Sequence, residues 1–155
     1  MRLTEIPSLT YTLTSLEDGM PFDKKFWISF AVVLVVSMVL GFVVHGAILA
    51  GDYERLTGVM RPPEEAEARF GFMIVAHVIL AFGFSWLYRG GRDAGKPWLG
   101  QGVRFGIAFA LAASVPIYLI YHTVANFPLD LALKQVVLET LSVIVVSICV
   151  AFVNK

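Results

Sequence analysis

Three histidines and one glutamate stand out against apolar surroundings: His45, His77, His122 and Glu139 fall one to each of four hydrophobic stretches. Imidazole and carboxylate are expensive inside hydrocarbon, and their presence there marks ion, proton or ligand sites. Threaded through a bilayer, all four land in the same half of the membrane. Helix one runs outward with His45 about 7–8 Å below its outer boundary, helix two runs inward with His77 about 10 Å down, and Glu139 lies about 12 Å down helix four. His122 is near the outer end of helix three, with Tyr118 one turn deeper and Asn126 one turn shallower; Gln135 and Ser142 share a stripe with Glu139.

Three chemistries can use such a layer. Three imidazoles and a carboxylate form a chemically complete set for a divalent metal such as zinc, so His45, His77, His122 and Glu139 are candidate ligands. No two of them have a local spacing such as His-x-x-x-His, so convergence rests wholly on tertiary packing. A proton or cation relay needs only two groups in contact. A b-type haem needs two histidines on facing helices, and His45 and His122 match best in depth. Plainer uses stand beside these: His45 and His122 meeting interfacial water or capping a carbonyl, and His77 with Glu139 sharing a hydrogen bond that fixes helix register. The last two are the deepest, and form the expected centre of the layer.

The elements that carry these residues follow from composition. With 57% apolar and 15% charged residues and a mean hydropathy of +0.75, the chain has too little polar surface for a water-soluble domain. Its apolar residues form four blocks, at roughly 26–50, 66–89, 99–125 and 130–153, each long enough for the ~20 residues that cross ~30 Å of hydrocarbon. Ile28 to Val44 shows no alternation, which excludes membrane strands. The expected fold is all-α: a four-helix transmembrane bundle over 26–155 with antiparallel neighbours, preceded by a cytoplasmic or interfacial segment, 1–25. Arg2, Lys24, Lys25, Arg89, Arg92, Lys96, Arg104 and Lys155 fall on one side, against Arg55, Arg61, Arg69 and Lys134 on the other. That excess puts both termini in the cytoplasm, with the chain in the plasma (inner) membrane.

Residues 1–23 lack the apolar core of a secretory signal, since Glu5, Pro7, Glu17 and Asp18 interrupt it. Leu3, Ile6, Leu9, Leu13 and Leu16 form a loosely helical apolar face suited to the bilayer surface. Trp27 is an interfacial anchor. Pro62-Pro63-Glu64-Glu65 starts the second helix outside the membrane, and Asp130 is a plausible N-cap for the fourth. Lys134 either snorkels or pairs with Asp130 one turn away. On helix three, Gly102, Gly106, Ala110 and Ser114 leave a flat face for another helix of the bundle or for a second copy of the chain. Ser37 and Gly41 give helix one a shorter face leading to His45, and Pro116 kinks helix three. The single cysteine, Cys149, rules out the dithiol chemistry of redox bundles.

Val44-His45-Gly46-Ala47-Ile48-Leu49 followed by Tyr53, Leu56 and Gly58, together with the return from Tyr121 through Asn126, Phe127 and Pro128, resembles the small four-span bacterial membrane proteins grouped as domain of unknown function 1761. The chain carries His45-Gly46 where that group has Tyr-Gly or Trp-Tyr-Gly, and Glu139 where a His often stands. The resemblance implies a four-helix bacterial membrane protein and names no activity.

Three functions remain open at this level. The first is an ion-, proton- or small-ligand-handling protein using His77, Glu139, His45, His122, Tyr118 and Gln135. The second, where the first would be a homo-oligomer, is a non-enzymatic accessory subunit of a larger membrane complex in which the polar layer only locks the bundle. The third is a metal- or haem-dependent enzyme. No nucleophile-base-orienter set and no phosphate loop favours catalysis, and nothing in the charge balance points to nucleic acid.

Overall fold

The computed structural model describes residues 22–56 and 58–155; the apolar face read between Leu3 and Leu16, and nearly all of the segment 1–25, lies outside them. Every described element is helical. α1 (Lys24–Gly41) continues as a π-helical segment (Phe42–Ile48), followed by a one-turn helix α2 (Ala50–Tyr53) and a short α3 (Pro63–Glu67). α4 (Phe70–Gly91) follows. α5 (Trp98–Phe109), a second π segment (Ala110–Ser114) and α6 (Val115–Val124) form one continuous rod, and α7 (Leu129–Val153) closes the chain. Four of these helical runs are long and apolar enough to cross a membrane: Lys24–Ile48, Phe70–Gly91, Trp98–Val124 and Leu129–Val153. They agree with the four apolar blocks, because only a helix satisfies every backbone group of such a run within itself.

Local chemistry sets the ends. Asp23, just ahead of the basic pair, accepts the Phe26 amide at 2.8 Å and caps α1. At the fourth span the helix begins at Leu129 with Pro128 before it, so Asp130 lies within the first turn and is not the cap; its carboxylate there complements the helix dipole. The acidic Pro63–Glu67 stretch forms its own short helix, separated from the second span by a break at Ala68 and Arg69. Arg69 reaches back to the Glu65 carbonyl at 2.9 Å and closes that short helix on itself.

The first and fourth spans form the middle of the bundle, the second packs chiefly on the first, and the third on the fourth. One core, with Val33, Ala81, Phe84, Val146 and Val150, lies toward the end that holds Asp23 and Asn154. Phe84 and Tyr88 reach the third span through Phe105, with ring centroids 5.1 and 5.2 Å apart. A smaller core of Val44, Leu49, Leu56 and Leu131 sits toward the opposite, loop end.

The flat face of the third span is used inside the bundle. A Cβ at Gly102 would lie 2.9 Å from that of Ala151, and one at Gly106 would lie 2.7 Å from the Ile144 Cα. The fourth span thus occupies the Gly102 and Gly106 positions, where a second copy was the other reading. Gly106→Ala is expected to destabilise the bundle by roughly 1–2 kcal/mol, overpacking outweighing the gain in helix propensity. Gly100→Ala, with nothing within 4 Å of the new methyl, leaves stability equal or higher. Denaturation in detergent micelles checks the pair of signs.

Candidate functional site

The polar layer is organised by two local irregularities. In a regular helix at 100° per residue, Val44 and Leu49 would point about 140° apart. The π turn, with the Leu49 amide bonded to the Val44 carbonyl at 2.9 Å, brings both into the smaller core, where they are almost wholly buried. Wide turns of this kind recur at functional sites, and this one carries His45. The chain then folds back through α2 and sets Tyr53 over the His45 ring, the two rings stacked with centroids 5.9 Å apart.

On the fourth span, Gln135 and Glu139 lie one turn apart on one face. The Glu139 Oε1 lies 2.8 Å from the His45 Nε2, and the His45 Nδ1 is hydrogen-bonded to the Tyr53 hydroxyl. Gln135 donates from Nε2 to the Tyr53 oxygen at 2.9 Å. The donors order themselves: the Gln135 amide gives to Tyr53, Tyr53 O–H gives to His45 Nδ1, and His45 Nε2–H gives to the carboxylate. Glu139 is ten residues past Leu129, about 15 Å along the helix, so its charge would be costly without this partner. Gln135 is 4% exposed, and its Oε1 is buried without a partner among the described residues. The His45 and Glu139 side chains retain 37% and 21% exposure.

Tyr53 holds its proton firmly. Burial pushes its hydroxyl above the ordinary value, the Glu139 and Asp52 carboxylates add to this, and the hydrogen bond from Gln135 opposes it. Tyr53 therefore serves as a neutral donor. Tyr118 is half-buried on the third span.

The other expected members of the layer stand apart. His77 bonds the Met73 carbonyl of its own helix at 2.9 Å and packs against Gly41, its Nε2 3.7 Å from where a Cβ there would sit. Glu139 thus meets His45 and not His77. His122 bonds the Phe127 carbonyl at 2.7 Å, across the turn into the fourth span. Among the described residues no three His, Cys, Asp or Glu side chains converge as a metal set would require: Glu139 meets His45, while His77 turns back to the Met73 carbonyl of its own helix. The pairing of His45 with His122 that a haem needs is likewise not made, each ring being committed to a different partner.

Ion pairs overlie the site at the loop end. Lys134 contacts both Asp52 oxygens at 2.9 Å, Arg55 also bonds Asp52, and Arg55 lies 3.6 Å from Asp130. Lys134 therefore pairs with Asp52 across the connection, where the sequence suggested Asp130. Lys134 holds the Asp52 carboxyl below its ordinary 3.8. A carboxylate depressed on folding contributes stability above the unfolded value and loses it as pH falls through the folded one. The stability gap between the native chain and Asp52→Asn is accordingly expected to be present at neutral pH and to close below pH 3.8. Melting curves across an acid pH series test it.

Tyr53 and the π turn are the parts of the site that the sequence did not announce as chemistry. The family described as protein of unknown function (DUF1761) matches residues 28–151. No curated protein and no solved structure matches the chain. Four apolar spans make this a multi-pass membrane protein, and with a match running from the first span into the last it belongs to the DUF1761 family.

Proposed function

We propose that the protein handles protons through His45 and Glu139, as a small bacterial inner-membrane protein with antiparallel neighbouring spans and both termini in the cytoplasm. In that orientation the pair lies in the outer half of the bilayer. The observation that carries this reading is the 2.8 Å contact between the His45 Nε2 and the Glu139 carboxylate deep in an apolar helix. When His45 also carries a proton on Nδ1, its Nε2 proton has two adjacent resting places, the ring nitrogen and the Glu139 oxygen, and transfer between them needs no movement of either helix. Tyr53 stays neutral: its hydroxyl donates to a bare Nδ1 and turns to accept from that nitrogen once it is protonated. Asp52, Lys134 and Arg55 supply a charged rim that keeps water near this end.

Vesicles test the reading. The purified chain, reconstituted with an entrapped pH-sensitive dye, is expected to dissipate an imposed pH gradient under a potassium diffusion potential faster than protein-free vesicles. Equal rates would reject proton handling and leave the pair as a lock on helix register in an accessory subunit.

A further inference from the structure

At the end of the bundle that holds Asp23 and Asn154, remote from the His45–Glu139 pair, a half-open cleft of about 350 Å³ lies where the second span ends and the third begins. Its walls include Tyr88, Arg92, Gln101, Arg104 and Phe105. We propose that this cleft binds a phosphate-bearing anion, held by the guanidinium groups of Arg92 and Arg104 and by the Tyr88 hydroxyl.

The donors outnumber the acceptors there. Arg104 lies six residues past Trp98, the first residue of α5, about 9 Å along an otherwise apolar helix, and has no hydrogen-bond or ion-pair partner among the described residues. The nearby carboxylate is already committed: Asp93 pairs with Lys96 at 3.0 Å and accepts the Gly95 amide at 3.0 Å. Arg92 gives one bond to the Asn154 carbonyl, leaving further N–H groups of its fork unused. Tyr88 is 3% exposed as a whole and lines the cleft, where its hydroxyl makes no hydrogen bond among the described residues. Gln101 holds the rim in shape, accepting the Asp93 amide at 2.6 Å and donating to the Lys96 carbonyl at 2.9 Å.

Two guanidinium forks and a hydroxyl suit phosphate, whose oxygens take several charge-assisted bonds at once. The volume falls within the range of small-ligand clefts. Phe105 and the adjoining apolar helix wall suit a ligand with an apolar continuation, as a membrane phospholipid has. The same chemistry would accept a free phosphate, and the experiment separates the two sources.

The full chain is extracted in mild detergent from vesicles of phosphatidylcholine and phosphatidylglycerol, and retained lipid is read by native mass spectrometry. In parallel, thermal unfolding is followed with and without inorganic phosphate in lipid-free micelles. A lipid site predicts retained phosphatidylglycerol that falls about tenfold in Arg104→Gln, the loss of charge-assisted bonds, with no response to inorganic phosphate. A soluble-anion site predicts a phosphate-dependent rise in melting temperature that Arg104→Gln removes. Arg104 is exposed, so this variant is expected to fold, and Arg104→Lys should restore part of the binding. Lys24→Gln, which removes an exposed charge at the same end of the bundle but outside the cleft, is expected to leave either signal intact. The proposal is overturned if neither anion has an effect, or if Lys24→Gln weakens binding as much as Arg104→Gln.

Discussion

Glu139→Gln is expected to reduce proton flux to that of protein-free vesicles while leaving the helix content and melting temperature close to those of the native chain. The amide is nearly isosteric with the carboxylate and can still accept the His45 Nε2–H bond, so the 2.8 Å contact and the packing around it survive. What disappears is the second proton acceptor. His45→Ala should abolish flux to the same extent, and the double variant should be no worse than either single one, the non-additivity expected of two groups acting as a unit. Tyr53→Phe keeps the ring stack but removes the hydroxyl, and is expected to slow flux without eliminating it. Undiminished flux in Glu139→Gln would remove the carboxylate from the pathway.

The largest effect on stability belongs at the other end of the bundle. Arg89 meets Asp23 at 2.6 Å, with side chains only 11% and 10% exposed, and reaches the Asn154 oxygen at 3.4 Å. Asn154 in turn donates to Ser29 at 2.8 Å. One cluster therefore joins the first, second and fourth spans. Arg89→Met would leave Asp23 buried without its cation, and removing one partner of such a pair costs about 3–5 kcal/mol. Asp23→Asn combined with Arg89→Met should recover part of that loss, since no uncompensated charge remains. Denaturant unfolding in micelles measures both; a loss in Arg89→Met no greater than in Arg61→Met, at an exposed pair, would show that the cluster adds nothing.

How much of this was written in the sequence depends on the distance over which each feature is determined. The spans were legible because twenty apolar residues admit one solution in hydrocarbon, and Gln135 and Glu139 were placed on one face by helix period alone. Pro116 was legible as a disturbance: it has no amide to give Ala112, and the π turn Ala110–Ser114 precedes it. Choosing the partner of Glu139 was a different matter. Estimated depth favoured His77, but depth says nothing of lateral position, and the second span packs chiefly on the first. The turn that presents His45 contains no proline, and the hydroxyl above it comes from a connection outside the apolar blocks. Asp23 was readable as a cap from its place before the first span; its pairing with Arg89 depended on how the spans pack.

The central claim is that His45 and Glu139 exchange one proton. Infrared difference spectra recorded across a pH jump in lipid vesicles resolve carboxyl and imidazole bands separately. If the pair is one unit, Glu139→Gln removes the carboxyl band and alters the imidazole bands, and His45→Ala alters the carboxyl band in return. Carboxyl and imidazole bands that titrate unchanged in the partner's variant would contradict it.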